Sequence, residues 1–149
     1  MNNSVRVEKV TDYTDGVAAG IGKLMPDLSP NLSGEPIPEQ RLRAIIESPD
    51  REQFIALLHT KIVGAATLNL IIGPAGKKAW LEDFVTSSDE NIRGKGAGHR
   101  IWQELIKWCK EQGVDLSFTS NPNRQEAHSF YKRQGATLID TDVFRVNVE

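Results

Sequence analysis

Cysteine is nearly absent: Cys109 is the only one in 149 residues. A lone thiol cannot close an intramolecular disulfide or supply a multi-cysteine metal site. An excess of either charge is missing too. The 18 Lys and Arg stand against 20 Asp and Glu, a formal net charge of −2. No bulk positive field therefore draws the chain to nucleic acid or anionic lipid. No apolar run reaches the ~18 residues of a membrane span, and the opening MNNSVRVEKV lacks the apolar core of a secretory signal. His59, His99 and His128 share no ligand spacing. These absences set the expectation of a cytoplasmic globular protein with no metal, no nucleic-acid partner and no membrane partner. The length and a hydrophobic content of 39% fit one domain, 1–149, with a substantial core.

What is present has a readable order. Val5, Val7 and Val10 alternate with polar residues and predict an opening strand. Thr11 or Asp12 can cap a helix through about Leu24, which Pro26 should end. Residues 26–38 hold four prolines and a glycine and read as an irregular connection. A second helix is expected over 39–47. Aliphatic runs at 54–58 and 62–72 predict a hairpin across His59-Thr60-Lys61, and 79–86 predicts the next strand. Ala97, Ile101, Leu105, Trp108 and Cys109 recur at spacings of three and four, one helical face ending near Gly113. A strand over 114–119 follows. Asn121 or Asn123 then caps a helix to Gln134, with Gly135 as its left-handed stop. Two short strands, 137–139 and 143–148, close the chain. The fold class is a mixed α/β (α+β) sheet of order β-α-α-β-β-β-α-β-α-β-β.

The glycine-rich stretch Asn91-Ile-Arg-Gly-Lys-Gly-Ala-Gly-His99 lies between a strand and a helix start. Backbone N–H groups of a helix's first turn lack internal partners and sit at the positive end of its dipole. Glycines there admit a phosphate without Cβ atoms in the way. A Walker loop requires Ser or Thr after Gly-Lys, but Gly96 follows Lys95. The dinucleotide fingerprint requires Gly-x-Gly-x-x-Gly, and this stretch is Gly-x-Gly-x-Gly. Instead, Arg93-x-x-Gly96-x-Gly98 resembles the Arg/Gln-x-x-Gly-x-Gly/Ala signature of the GNAT superfamily of N-acetyltransferases. Arg124-Gln-Glu-Ala127-His-Ser-Phe130-Tyr131-Lys-Arg-Gln-Gly135 is similar to that family's second motif, with Arg124 where many members carry Asn and Ala136 where Phe is usual.

The resemblance implies the GNAT fold and an acetyl-CoA-dependent N-acetyltransferase acting on a small-molecule primary amine. A peptide or protein acetyltransferase and a non-catalytic acetyl-CoA sensor are the alternatives. It implies cofactor contacts from Arg93, Gly94, Lys95, Gly96, Ala97 and Gly98, from the backbone of Phe84, Val85 and Thr86, and from Arg124. Tyr131 is implied as the general acid; read from the residues alone, Phe130 and Tyr131 are equally a packing pair. Trp80-Leu-Glu82-Asp83-Phe-Val85 places two carboxylates in an apolar strand and resembles the Glu-Asp strand of glucosamine-phosphate acetyltransferases. Glu82 is the expected general base, with Asp83 the weaker candidate and both as substrate contacts; alternatively, one acid pairs with a neighbouring cation and the other is solvated. Strand alternation should put Glu82 and Asp83 on opposite faces. The family's terminal strands also suggest a homodimer.

Overall fold

The computed structural model describes residues 4–148. They fall into two compact units, one running through Phe118 and one starting at Thr119. The first carries β1 (Arg6–Lys9), α1 (Asp15–Leu28), α2 (Glu39–Ile46), β2 (Arg51–Leu58), β3 (Lys61–Gly73), β4 (Gly76–Thr86), α3 (Ala97–Gln112) and β5 (Leu116–Ser117). The second carries α4 (Gln125–Arg133). The strands form one mixed sheet in the order β1-β2-β3-β4-β5. It is antiparallel from β1 to β4 and parallel between β4 and β5.

Phe54 to Leu57 are buried without alternation, because helices cover both faces of the sheet. On one face Ile55, Leu57, Ala65 and Val85 pack with Ala18, Ile21 and Leu24 of α1 and Leu42 of α2. On the other face α3 lies close at Gly64, where a Cβ would stand 2.8 Å from the Ile101 side chain and 3.3 Å from that of Ala56. Ile101 and Leu105 are fully buried there, each worth about 1.5–3 kcal/mol by its removal from water. Gly22 has a second such role. A Cβ on it would collide with the Glu35 carbonyl, so glycine lets the 29–38 connection lie directly on α1. Ile37 N–H completes that seam by donating to the Ala18 carbonyl at 3.0 Å.

Several boundaries differ from expectation. Thr14, not Thr11 or Asp12, caps α1, its Oγ1 accepting from Val17 N–H at 3.1 Å. Helix α1 also runs past Pro26 to Leu28. Near a helix end a proline forfeits one internal bond, and Ser29 N–H still closes the last turn on the Met25 carbonyl. Arg124, not an asparagine, is the N-cap position of α4. The Asn121 side chain is turned back to accept from Asn123 N–H at 2.9 Å, forming its own turn. The glycine stops hold: Gly113 and Gly135 have φ of 68° and 91°. Val114 N–H then reaches Cys109 O, and Ala136 N–H reaches Tyr131 O.

The largest correction concerns the chain end. The strands expected at 137–139 and 143–148 are not formed, and no strand follows α4 among the described residues. Alternating β-branched and aromatic residues make a segment fit for a sheet, but a strand exists only when paired, and an isolated hairpin is marginal in water. Leu138, Phe144 and Val148 stand open to solvent here.

Candidate functional site

The glycine stretch begins just beyond β4 and is built by local hydrogen bonds. Asp27, near the end of α1, holds Ser88 twice, accepting from its N–H at 3.1 Å and its Oγ at 2.7 Å. Ser87 N–H donates to the Val63 carbonyl, and the Asp89 carboxylate accepts from Asn91 N–H at 2.9 Å. Ile92 is buried, whereas Arg93, Gly94, Lys95 and Gly96 are exposed. Gly94 and Gly96 have φ of 82° and 80°. That left-handed backbone is the reason for glycine, since a Cβ at either position would meet nothing within 4 Å. Gly96 is the N-cap of α3 and brings no side chain to satisfy the first turn. Ala97 is buried and Gly98 half-buried in that turn, which holds no acidic residue. The result is an exposed helix N-terminus of a long helix with open space before it and two cationic side chains beside it, a geometry suited to a diphosphate.

Next to this loop β4 changes character. Its ladder with β5 covers only Ala79↔Leu116 and Trp80↔Ser117, although β4 runs on through Phe84 and Val85 to Thr86. Phe84 is half-buried and its ring stacks on Trp102 with centroids 6.4 Å apart. On the β3 side, Thr67 pairs with Glu82 and Ala65 with Val85, so Asp83 and Phe84 together face Ala66 alone. This bulge sets Asp83 at φ 51°, left-handed backbone that costs a non-glycine residue about 1–3 kcal/mol.

The bulge also overturns the expected alternation. Cross-strand partners share a face, so Glu82 lies on the face of Thr67. Asp83 lines the same cavity as Thr67, so both carboxylates lie on the α1–α2 face. They nonetheless look into different spaces. Glu82 borders an open groove with Arg51, Asn69 and Lys78, and its Oε1 accepts from Trp80 Nε1 at 2.7 Å. Asp83 lines a cavity of about 380 Å³. Protein crowding around its carboxyl raises its pKa, and the nearby Glu82 charge raises it further.

That cavity sits among α1, the 29–38 connection, α2 and the middle of the sheet. Ile21, Met25, Leu42 and Ile45 give it apolar walls, and Glu35 and Arg41 are the charged residues contributed by the helical side. Thr67 and Gln53 line it with settled partners. Thr67 Oγ1 donates to Gln53 Oε1 at 2.8 Å, and Gln53 Nε2 donates to the Phe54 and Ala66 carbonyls at 3.2 Å. Nothing in the sequence pattern marked Gln53, Thr67, Glu35 or Arg41, because their roles come from strand register and from the course of a proline-rich connection.

In the second unit, Tyr131 is buried on α4 beside Phe130, ring centroids 5.8 Å apart and nearly perpendicular. Burial raises its phenol pKa, while the Arg124 charge pulls it down. Arg124, half-buried, begins the same helix. On the same helix, His128 has its Nε2 buried without a hydrogen-bond partner among the described residues. His59 sits in the β2–β3 turn at φ 58°, and His99 is exposed on α3. Cys109 is buried, and burial, then the Asp115 charge, pushes its thiol up to about 11, so it stays a protonated core group at neutral pH.

Comparison with known proteins meets this geometry. The chain superposes on an aminoglycoside acetyltransferase, meta-AAC0020, from an uncultured soil metagenomic sample, with a TM-score of 0.83 at 19% identity over 99% of both chains. It superposes on glucosamine-6-phosphate N-acetyltransferase from Arabidopsis thaliana with a TM-score of 0.77, at 19% identity over 96% of this chain and 98% of that one. A transcriptional regulator from Bacillus halodurans C-125 gives 0.79 at 22% identity over 97% and 99%. No curated protein matches. Identities this low establish the shared fold alone. The sequence model of the acetyltransferase (GNAT) family, however, matches residues 21–136, from α1 through the glycine loop to the end of α4. With the cradle at the start of α3 and the β4–β5 ladder ending at Trp80, that match places the chain in the GNAT acetyltransferase family.

Proposed function

We propose that the chain is an acetyl-CoA-dependent N-acetyltransferase that moves an acetyl group directly onto the primary amine of a small molecule. The observation that carries this reading is the cradle at Gly94 and Gly96, whose left-handed backbone leads into a helix start with open space before it. Acetyl-CoA supplies an activated acetyl group and a diphosphate handle. The backbone N–H groups from Gly94 to Gly98, with Arg93 and Lys95, hold the diphosphate. The backbone of Phe84, Val85 and Thr86, beyond the end of the β4–β5 ladder, holds the pantetheine end and polarises the thioester carbonyl. Arg124 contributes a further cofactor contact.

The acceptor enters the cavity bounded by α1, α2 and the 29–38 connection. Its ammonium meets Asp83, which takes the proton directly or through water; desolvation of that carboxyl, and then the Glu82 charge, hold its pKa up. This gives the base role foreseen for Glu82 to its neighbour, because Glu82 is engaged by Trp80 outside the cavity. As the C–S bond breaks, Tyr131 donates its proton to the departing thiolate, and the second proton shed by the newly acylated nitrogen restores the phenol. No acyl-enzyme is needed when both substrates are held together; proximity supplies much of the rate.

Two measurements test this. Thiol release from acetyl-CoA, followed against a panel of small amines and peptides, is expected to require a small amine; release driven only by peptides would shift the reading to a protein acetyltransferase. Gly96→Ala is expected to cost about 1–2 kcal/mol for a left-handed non-glycine residue, read as a lower Tm, and to weaken acetyl-CoA binding more than acceptor binding. Unchanged acetyl-CoA affinity in that variant would remove the cradle from the account.

A further inference from the structure

Arg41 and Arg43 lie two residues apart on α2 and are treated differently by the fold. Arg43 is satisfied: Glu39 at 3.1 Å, Glu47 at 3.6 Å, and the Tyr13 ring 4.9 Å from its guanidinium centre. Arg41 has Ile37, Pro38, Ala44 and Ile45 at the helical spacings where an acid could reach it. Its guanidinium has neither hydrogen bond nor ion pair among the described residues, and it is the one cation of the cavity lining. The same lining carries two carboxylates, Asp83 on the strand side and Glu35 on the connection, and neither carboxylate has a hydrogen-bonding partner among the described residues. The cavity lining therefore carries charges of both signs, and at about 380 Å³ it is near the small end of ligand sites.

We infer that the acceptor is a small amine that also carries an anionic group, its ammonium held at Asp83 and its carboxylate or phosphate held by Arg41. This rests on the acetyltransferase reading above and adds the acceptor's second charge. A planar guanidinium presents paired donors that match a carboxylate or phosphate, and such contacts are stronger than neutral hydrogen bonds. A polycationic acceptor would instead meet Arg41 as a like charge.

The test compares matched pairs: 4-aminobutyrate with butylamine, and an amino sugar phosphate with the unphosphorylated amino sugar. Turnover is measured with acetyl-CoA, and acceptor binding is read separately by calorimetry. The wild-type chain is expected to favour the anion-bearing member of at least one pair by about tenfold or more in kcat/KM, the scale of one charged hydrogen bond. Arg41→Gln should remove that difference, through KM more than kcat, and Arg41→Lys should restore part of it. The pair that responds identifies carboxylate or phosphate. Turnover with no preference for the anion, or a preference that survives Arg41→Gln, overturns the inference and leaves the acetyltransferase reading standing. Arg41-dependent binding of the anionic amine without turnover does the reverse. Failure of both anionic amines to bind or react overturns the inference too.

Discussion

Tyr131→Phe is expected to lower kcat about 10²–10⁴-fold, the usual worth of a positioned general acid, while acetyl-CoA binds nearly as before. Tyr131 is buried, and that burial lifts its phenol above the ordinary value of 10 despite the opposing Arg124 charge. It is therefore fully protonated through the neutral range and keeps a proton to give. Phenylalanine retains the ring and its perpendicular contact with Phe130, so the substitution removes the hydroxyl and little packing. If Tyr131 only packs, kcat will not move. Stopped thiol-release assays with the variant, alongside its acetyl-CoA dissociation constant, separate the two.

Asp83→Asn should be comparably damaging, lowering kcat/KM by about 10²–10⁴-fold through loss of the proton acceptor. Its pH signature is specific. Because partial desolvation of its carboxyl, and then the Glu82 charge, raise the Asp83 pKa, the acid limb of kcat/KM should be shifted upward from that of an ordinary carboxylate. Glu82→Gln removes the second cause and should move that limb to lower pH with most of the rate intact. If Glu82→Gln instead abolishes the rate and Asp83→Asn does not, the base is Glu82. Stability gives an independent reading. A raised native pKa means the folded state holds a proton the unfolded state releases, so the contribution is full at low pH and is lost as pH rises through the native value. Asp83→Asn should therefore tolerate the step from acid to neutral pH better than wild type, seen in Tm against pH.

Which parts of this site were visible in the sequence follows from how local each cause is. Gly94 and Gly96 answer to their own backbone angles, so their spacing was enough to mark the loop. Helix α3 was equally legible, since the face of Ala97, Ile101, Leu105, Trp108 and Cys109 depends on one periodicity, and all five are buried. Asp83 was not. Its orientation comes from two β4 residues facing one β3 residue, and register between strands leaves no mark in either strand alone. Arg41 escaped for a similar reason, as its cavity exists only because Gly22 lets a distant connection settle on α1. The terminal segments show the opposite error. Their alternation was read correctly as β-compatible, but a compatible pattern does not supply a pairing partner.

In the proposed reaction an acetyl group passes from acetyl-CoA straight to an acceptor amine. Acetyl-CoA labelled in its acetyl group, incubated with the chain and a reactive amine and followed by mass spectrometry, tests it most directly. One labelled acetyl on the amine nitrogen is expected for each thiol released, with no label on the protein at any time. Acetyl-CoA bound without thiol release for any amine, or label accumulating on the chain before the acceptor, would contradict it.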